Sequence, residues 1–515
     1  MLLRSTLAIA LLASATTGMA QAGTLDQTFG TDGYVTFYFG SENTFPVNAL
    51  VYPNGQLLVV TSIYDQSADI ALERYSADGI LDASFGDAGV MTIDVNDGSA
   101  DRPRDAVLLP DGKILIVGRI DGSILLMRLE PDGSFDTSFD TDGWMTLDLA
   151  ADEQMGGFAL RPTGEFVISS TVDLDVGYGY GKVTQYTPDG TLDAAFGTNG
   201  VLTIDVEIGA TETTEMLFDI ALASNGDAYV LGTAFFLANG NDDLYVFRVT
   251  PSGTLDPAFD GVGYRLLPIG TERDLYGPIA VTPNDQVLVA GSTGGAGVVD
   301  DPFIAKLNAD GSFDPAFGSA GVQIMTSINS QVVSDLLIEP NGQIVLSGES
   351  SNGSGTDMLI ARLNADGSFD TGFGTDGITR TLIGSAAGWE SGGALVLAVD
   401  GNYIMTGVTG TSFAGTSTQV LLKYLSGNAA GILESHAAPV RLYPNPASGQ
   451  LWVSTPRPLH AMALNVVDLD GRSAGTLTLN GDGSVELPAS LGSGTYLITG
   501  ADPTRFPPQR VVLMR

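Results

Sequence analysis

Side chains able to stack, pair or transfer protons gather in a few stretches of this chain. Arg102 and Arg104 stand in NDGSADRPR, Tyr178 and Tyr180 in TVDLDVGYGYGK, Arg273 and Tyr276 in GTERDLYG, and Trp389 in GSAAGWESG. Aromatic rings beside acids and guanidinium groups can stack on sugar rings or anchor a protein partner, so these residues are the candidate binding set. Catalysis has a narrower opening. The chain has no Cys, and its two histidines, His436 and His460, lie near the C-terminal end. That removes Ser-His-Asp and Cys-His nucleophiles and His metal clusters from the preceding part, so no catalytic residue is assigned. Carboxylates remain: there are 60 Asp and Glu, and a glycosidase needs only a pair at a suitable separation. Asn239, Asn241, Asp242 and Asp243, and again Asn480 and Asp482, offer oxygen ligands for Ca2+. Neither set matches the spacing of an EF-hand loop, so solvated turns are the expectation, with no metal or cofactor.

The elements that must position these residues are announced by a recurring phrase. An apolar residue and Asp are followed by Phe three positions later and Gly four beyond that. The Asp are 26, 82, 136, 193, 256, 314 and 370; Phe29, Phe85, Phe139, Phe196, Phe259, Phe317 and Phe373 follow, at spacings of 56, 54, 57, 63, 58 and 56. A period of that length is one supersecondary unit, so the chain reads as a closed array. In each phrase the Asp can accept backbone N–H bonds, the Phe can fill the space between units, and the Gly starts the next strand where a side chain would clash. That structural role is the expectation, because a catalytic site breaks symmetry where its residues differ in task.

One unit contains four strand-like runs. After Gly89 come VMTIDV, then DAVLLPDGKILIVGRI with a Pro-Asp-Gly turn in its middle, then ILLMRLEPDG. Four antiparallel strands repeated seven times predict a seven-bladed β-propeller rather than a β-solenoid. The inner-type runs are VNALVY, DAVLLP, GFALRP, DIALAS, PIAVTP, DLLIEP and GALVLAV. The last unit stops after VLLKYL without a fourth strand, while YVTFYF (34–39) precedes the first inner run. We therefore expect the N-terminal strand to complete the last blade, and removal of residues 23–40 to open the ring. The loops of unequal length should gather on one face, the place for recognition on a rigid frame.

Composition narrows the partners. With 60 acids against 22 bases the formal charge is -38, which excludes the basic footprint that nucleic acid requires and suits a solvated acidic shell. The opening MLLRSTLAIALLASATTGMAQA has one Arg, a short apolar run and small residues at Ala20 and Ala22. It reads as a secretory signal cleaved after Ala22, and no segment is long and apolar enough to span a bilayer.

The phrases DGILDASFGDAGVMTIDV, DGSFDTSFDTDGWMTLDL, DGTLDAAFGTNGVLTIDV and DGSFDTGFGTDG, with PDGKILIVG, resemble the bacterial delta-sixty repeat, which implies a propeller over about residues 23–427 and brings no catalytic residues. Asp140 and Asp260 stand where the repeat has Gly. Beyond a linker at 428–439, a second domain at 440–515 has alternating runs that predict a small β-sandwich. Here Tyr443, Pro444, Asn445, Pro446 and Leu451, then Asp468, Gly471 and Arg472, then Gly494 and Tyr496, resemble the motifs of the type A C-terminal sorting domain of the type IX (Por) secretion system. The ending RVVLMR has Arg where that family often has Lys. The resemblance implies export across the outer membrane of a Gram-negative bacterium, with the secretion machinery and its sortase as partners, and a mature protein at the cell surface or released. The expectation is thus an all-β chain: a signal at 1–22, a seven-bladed propeller with four-stranded blades closed by its N-terminal strand, and a small sandwich. It would bind an extracellular glycan or protein through its variable loops. A polysaccharide-directed hydrolase or lyase using Asp and Glu is the alternative, and a purely structural surface protein the third.

Overall fold

The computed structural model describes residues 21–427 except 40–42, 65–67, 96–98, 122, 148–152, 175–177, 207–212, 237–241, 271–273, 295–300, 327–329, 386 and 412–415, and beyond them the strands and some adjoining residues of 441–513. Seven four-stranded antiparallel sheets follow one another along the chain. Blade 1 is Asn43–Val51, Leu57–Tyr64, Ala68–Tyr75 and Val90–Ile93; blade 2 is Asp101–Leu108, Ile114–Ile120, Ser123–Leu129 and Trp144–Leu147. Blades 3 to 7 begin with the inner strands Glu153–Leu160, Thr213–Leu222, Asp274–Val281, Ser330–Ile338 and Trp389–Leu397. The two middle strands of the blades are largely buried on both sides, as a blade sandwiched between neighbours requires; in blade 1 Leu57, Leu58, Val59 and Val60 are all buried. This is an all-β seven-bladed propeller.

The fourth strand of blade 7 is the N-terminal strand Tyr34–Phe37, paired antiparallel with Ser417–Tyr424 in the register Tyr34 to Leu422 and Phe37 to Gln419. The two ends of the propeller segment are thereby zipped into one sheet, as the missing strand predicted. The residues just ahead of it are also held: Gly23 N donates to Leu425 O at 2.7 Å, and Gly374 N donates to Ala22 O at 2.8 Å. The expected cleavage after Ala22 would leave Gly23 with its bond and remove that second acceptor; Ala20 lies outside the described residues.

The recurring phrase is the corner of each blade. In blade 1, Asp82 N donates to Arg74 O at 2.8 Å, Ser84 N to Asp82 Oδ1 at 3.0 Å, and Gly89 N to Phe85 O at 2.8 Å. The other carboxylate oxygen takes Arg74 Nε at 2.9 Å, and the guanidinium lies 4.5 Å from the Phe85 ring. The Ser84 hydroxyl and amide, then Arg74, hold the Asp82 carboxyl below its usual range. A basic residue eight positions before the Asp recurs as Arg128, Arg248, Lys306 and Arg362. Blade 3 has Gln185 there instead, and Arg161 Nε donates to Gln185 Oε1 at 2.8 Å. In blade 7 the pair is split between the chain ends: Lys423 Nζ lies 3.4 Å from Asp26 Oδ2 and 5.8 Å from the Phe29 ring. All seven Phe are at most 2% exposed, which bears out their role as plugs between blades.

Asp140 and Asp260 keep the fold because they adopt the Gly conformation, with φ of 44° and 49° against 52° at Gly86. Asp tolerates the left-handed region better than most side chains, and Asp260 Oδ1 also accepts a bond from Arg265 at 2.9 Å.

At the C-terminal end, seven strands are hydrogen-bonded into one antiparallel sheet in the order Arg441–Tyr443, Gln450–Ser454, Ser484–Glu486, Ser473–Leu479, Met462–Asp468, Gly494–Gly500, Gln509–Leu513. Leu464, Val466, Val485 and Ile498 form its buried side.

Candidate functional site

Each inner strand enters the ring from the face that carries the loops of unequal length and then bulges. The register against its neighbour slips between Pro46 and Asn48 in blade 1, Pro103 and Asp105 in blade 2, Leu217 and Asp219 in blade 4, and Gly392 and Leu395 in blade 7. A bulge leaves one residue outside the ladder and re-aims its side chain. The residues left outside include Val47, Arg104, Phe218 and Ser334; the positions that end each bulge or directly follow it, running round the ring, are Asn48, Asp105, Gly157, Asp219, Pro278, Asp335 and Ala394, and all seven line a cavity of about 430 Å³ in the central channel.

Four of the seven carry polar side chains, and these reach sideways. Asp219 Oδ2 accepts Ile279 N of the next blade at 3.0 Å, and Asp335 Oδ2 accepts Leu395 N at 2.7 Å. Their second oxygens take the amides of Ile220 and Leu336. Asp105 Oδ1 accepts Asn48 Nδ2 of blade 1 and its own neighbour's amide, Ala106 N. Arg104 Nε donates to Gly156 O of blade 3 at 3.2 Å. These contacts staple adjacent inner strands where they converge. Removal from bulk water pushes the Asp219 carboxyl up to about 6 and Asp335 up to about 7; their amide donors oppose this, and the neighbouring carboxylates add to it. Asp105 is raised for the same first reason.

An acid sits four residues before the channel position on several inner strands. Asp101 accepts Val95 N, Asp274 accepts Ile269 N and Gly270 N, and Glu390 accepts Ile383 N. Sequence reading placed these acids in the variable loops; the structure buries them as the anchors that turn the chain from one blade into the next. Their backbone donors explain why an acid is needed there.

Aromatic rings form the walls. Tyr276, half exposed, stacks on Phe218 of the adjacent blade with centroids 3.5 Å apart and planes at 5°, and both line the cavity. Trp389 is half-buried 6.3 Å from Phe45, which lies 5.6 Å from Tyr64, and the Arg102 guanidinium sits 5.5 Å from the Tyr64 ring. The structure thus brings Arg104 and Tyr276 to the channel, and Arg102 and Trp389 onto a second aromatic group beside it. Tyr180 is half-buried in the second hairpin of blade 3 and does not line the channel. Tyr178 pairs with Leu174 at the tip of that hairpin. Arg273 lies outside the described residues, as do Asn239, Asn241, Asn480, Asp482 and both histidines.

Among the sorting-motif residues, Tyr443 pairs with Trp452, Leu451 with Val485, Asp468 with Tyr496 and Gly494 with Leu513; Pro444, Asn445, Pro446, Gly471 and Arg472 lie outside the described residues. Among the described residues no group of three or more His, Cys, Asp or Glu is placed to hold a metal ion, and no helix is long and apolar enough to cross a membrane.

Four stretches, 109–139, 228–259, 282–317 and 339–373, match the model of a β-propeller family described as a domain of unknown function, DUF5122. No curated protein sequence matches the chain. Among solved structures it is similar to a polysaccharide lyase, PL25 ulvan lyase (10% identity, 76% of this chain and 96% of that one, TM-score 0.44). It is also similar to the extracellular domains 1–2 of Drosophila Semaphorin 1a (10%, 76% and 88%, 0.42) and to the propeller domain of the Trilobed protease from Pyrococcus furiosus (8%, 75% and 94%, 0.39). The chain is a seven-bladed β-propeller, and blades 2, 4, 5 and 6 carry the repeat recognised by the DUF5122 propeller model.

Proposed function

We propose that this is an exported glycan-binding propeller whose ligand enters the channel mouth on the variable-loop face. The observation that carries this reading is the Tyr276–Phe218 stack at the edge of a cavity that also holds Asn48, Arg104, Asp219 and Asp335. Sugars present apolar C–H faces to aromatic rings and hydroxyls to amide, carboxyl and guanidinium groups, and this cavity offers both within a volume suited to a small ligand. The frame is stiff, because Asp219 and Asp335 each hold two backbone amides and Asp105 holds one backbone amide and the Asn48 side chain.

The test is retention of the protein on insoluble cellulose, chitin and xylan. Tyr276→Ala removes the half-exposed ring without opening a core cavity, and is expected to weaken retention about tenfold while the melting temperature holds. Retention unchanged in this variant overturns the channel-mouth assignment. Carboxyls titrating near neutral pH also favour a second reading, a hydrolase or lyase; release of reducing ends, lost in Asp335→Asn, would establish it. The fixed backbone bonds of both carboxylate oxygens weigh toward binding.

The opening signal and the C-terminal motifs support export through the type IX system, ending at the cell surface or in the medium. The tail would be removed within about Ser426–Val440. Intact mass of the exported protein tests this: a species lacking RVVLMR is expected, and an intact C-terminus rejects it.

A further inference from the structure

The Phe45–Tyr64–Trp389 group is not explained by a ligand held at Tyr276 alone. It spans blades 7 and 1, Arg102 extends it to blade 2, and in a ring of seven this arc lies opposite the junction of blades 4 and 5, where Tyr276 and Phe218 stack. The two aromatic groups therefore face each other across the channel mouth. Pro46 and Asn48, which follow Phe45 on its strand, line the cavity on one side, and Phe218 and Tyr276 line it on the other. On the far group, Tyr64 is 37% exposed and Arg102 is exposed with its guanidinium against the Tyr64 ring. Trp389 is fixed from behind, since its side chain bonds Glu349 of blade 6.

Resting on the glycan reading above, we propose that the ligand is an extended, uncharged polysaccharide that crosses the channel mouth, with one sugar on Tyr276 and a later sugar of the same chain on the Tyr64–Arg102 platform. Two stacking surfaces on opposite rims suit a polymer, because the second contact becomes intramolecular once the first is made. Charge selects the class. Above pH 7, where Asp219 and Asp335 are ionised, the site presents these two and Asp105 against Arg104 and Arg102, within a chain of net charge -38, so a polyuronate meets an excess of like charge while a neutral polymer does not.

The experiment measures affinity of the full chain for cello-, xylo- and chito-oligosaccharides of two to eight sugars, with oligoalginates of equal length as the charged probe. Affinity for one neutral series is expected to rise about tenfold or more between the short and long members. Tyr64→Ala should remove that gain and leave the shortest member's affinity unchanged, whereas Tyr276→Ala should weaken every length. Length-independent affinity, or a Tyr64→Ala variant that keeps the gain, overturns the two-platform proposal while leaving the channel reading intact. Tighter binding of the alginate series overturns the charge assignment. Affinity untouched by Tyr276→Ala, or no binding by any series, overturns both readings together.

Discussion

A chain lacking residues 23–40 is expected to lose the cooperative unfolding of the propeller. The deletion removes the Tyr34–Phe37 ladder against blade 7, the fully buried Phe29, the Asp26–Lys423 pair and the Gly23 N to Leu425 O bond. It also leaves the third strand of blade 7 as an open edge. Burial of one Phe is worth about 2–3 kcal/mol and its truncation in a core costs about 3–5, so the loss of the whole segment approaches the total stability of an ordinary domain. A melting transition broadened and lowered by about 10 °C or more is the expected calorimetric result. A circular permutant that joins Ser426 to Ala22 is the control. Ala22 and Gly23 occupy the place that Asp78 and Gly79 hold in blade 1, since Gly374 N bonds Ala22 O as Gly30 N bonds Asp78 O. The permutant should therefore regain the sharp transition. A truncated chain with the native transition would show that the ring does not depend on its closing strand.

Glu73→Gln is expected to stabilise the protein, increasingly so as pH rises. Glu73 is fully buried where blade 1 packs on blade 7, with Gln419 Nε2 3.2 Å from its Oε2 and no partner on Oε1. The Thr61 hydroxyl lies 2.8 Å from Gln419 Oε1 and 3.1 Å from Glu73 Oε2. It has one hydrogen to give. With that hydrogen on Gln419, the Glu73 contact is satisfied by a protonated carboxyl donating to Thr61. Burial pushes the Glu73 carboxyl up from 4.5 to about 8, against the partial relief of Gln419 and Thr61. The sign follows from proton binding. Below pH 4.5 both folded and unfolded chains carry the proton, and Glu73 costs nothing. Between 4.5 and 8 the unfolded chain loses it and the folded chain keeps it, so stability falls as pH rises, and above 8 the loss is complete. Gln is neutral throughout. The variant should match the parent near pH 4.5 and exceed it by about 5 kcal/mol at pH 8.5. Asp219 and Asp335 bend both curves alike, so the difference between the two proteins isolates Glu73. A difference that is flat with pH, or that favours Glu, refutes the assignment.

The corner phrase was legible because its parts interact over short distances in sequence. Asp82 bonds Ser84, Phe85 and Arg74, all within eight residues, so the same letters recur wherever the same turn is built. The missing fourth strand of the last unit was legible by counting. The channel residues were partly visible too: the inner runs VNALVY, DAVLLP, DIALAS and DLLIEP place Asn48, Asp105, Asp219 and Asp335 in one column of otherwise apolar strands. An acid in such a strand signals a buried carboxylate.

Sequence alone determined the repeat, its number and the strand that closes it, because local hydrogen bonding and alternating burial leave a periodic trace in residue types. The tertiary structure decided which side chains meet across blades. Asn48 finds Asp105 at a separation of 57 residues, Asp219 and Asp335 find amides 60 residues on, and Glu73 meets Gln419 across 346. Nothing local in the chain specifies those distances; they follow from closing seven twisted sheets into a ring, and the exclusion of water that shifts the carboxyls follows from the same closure.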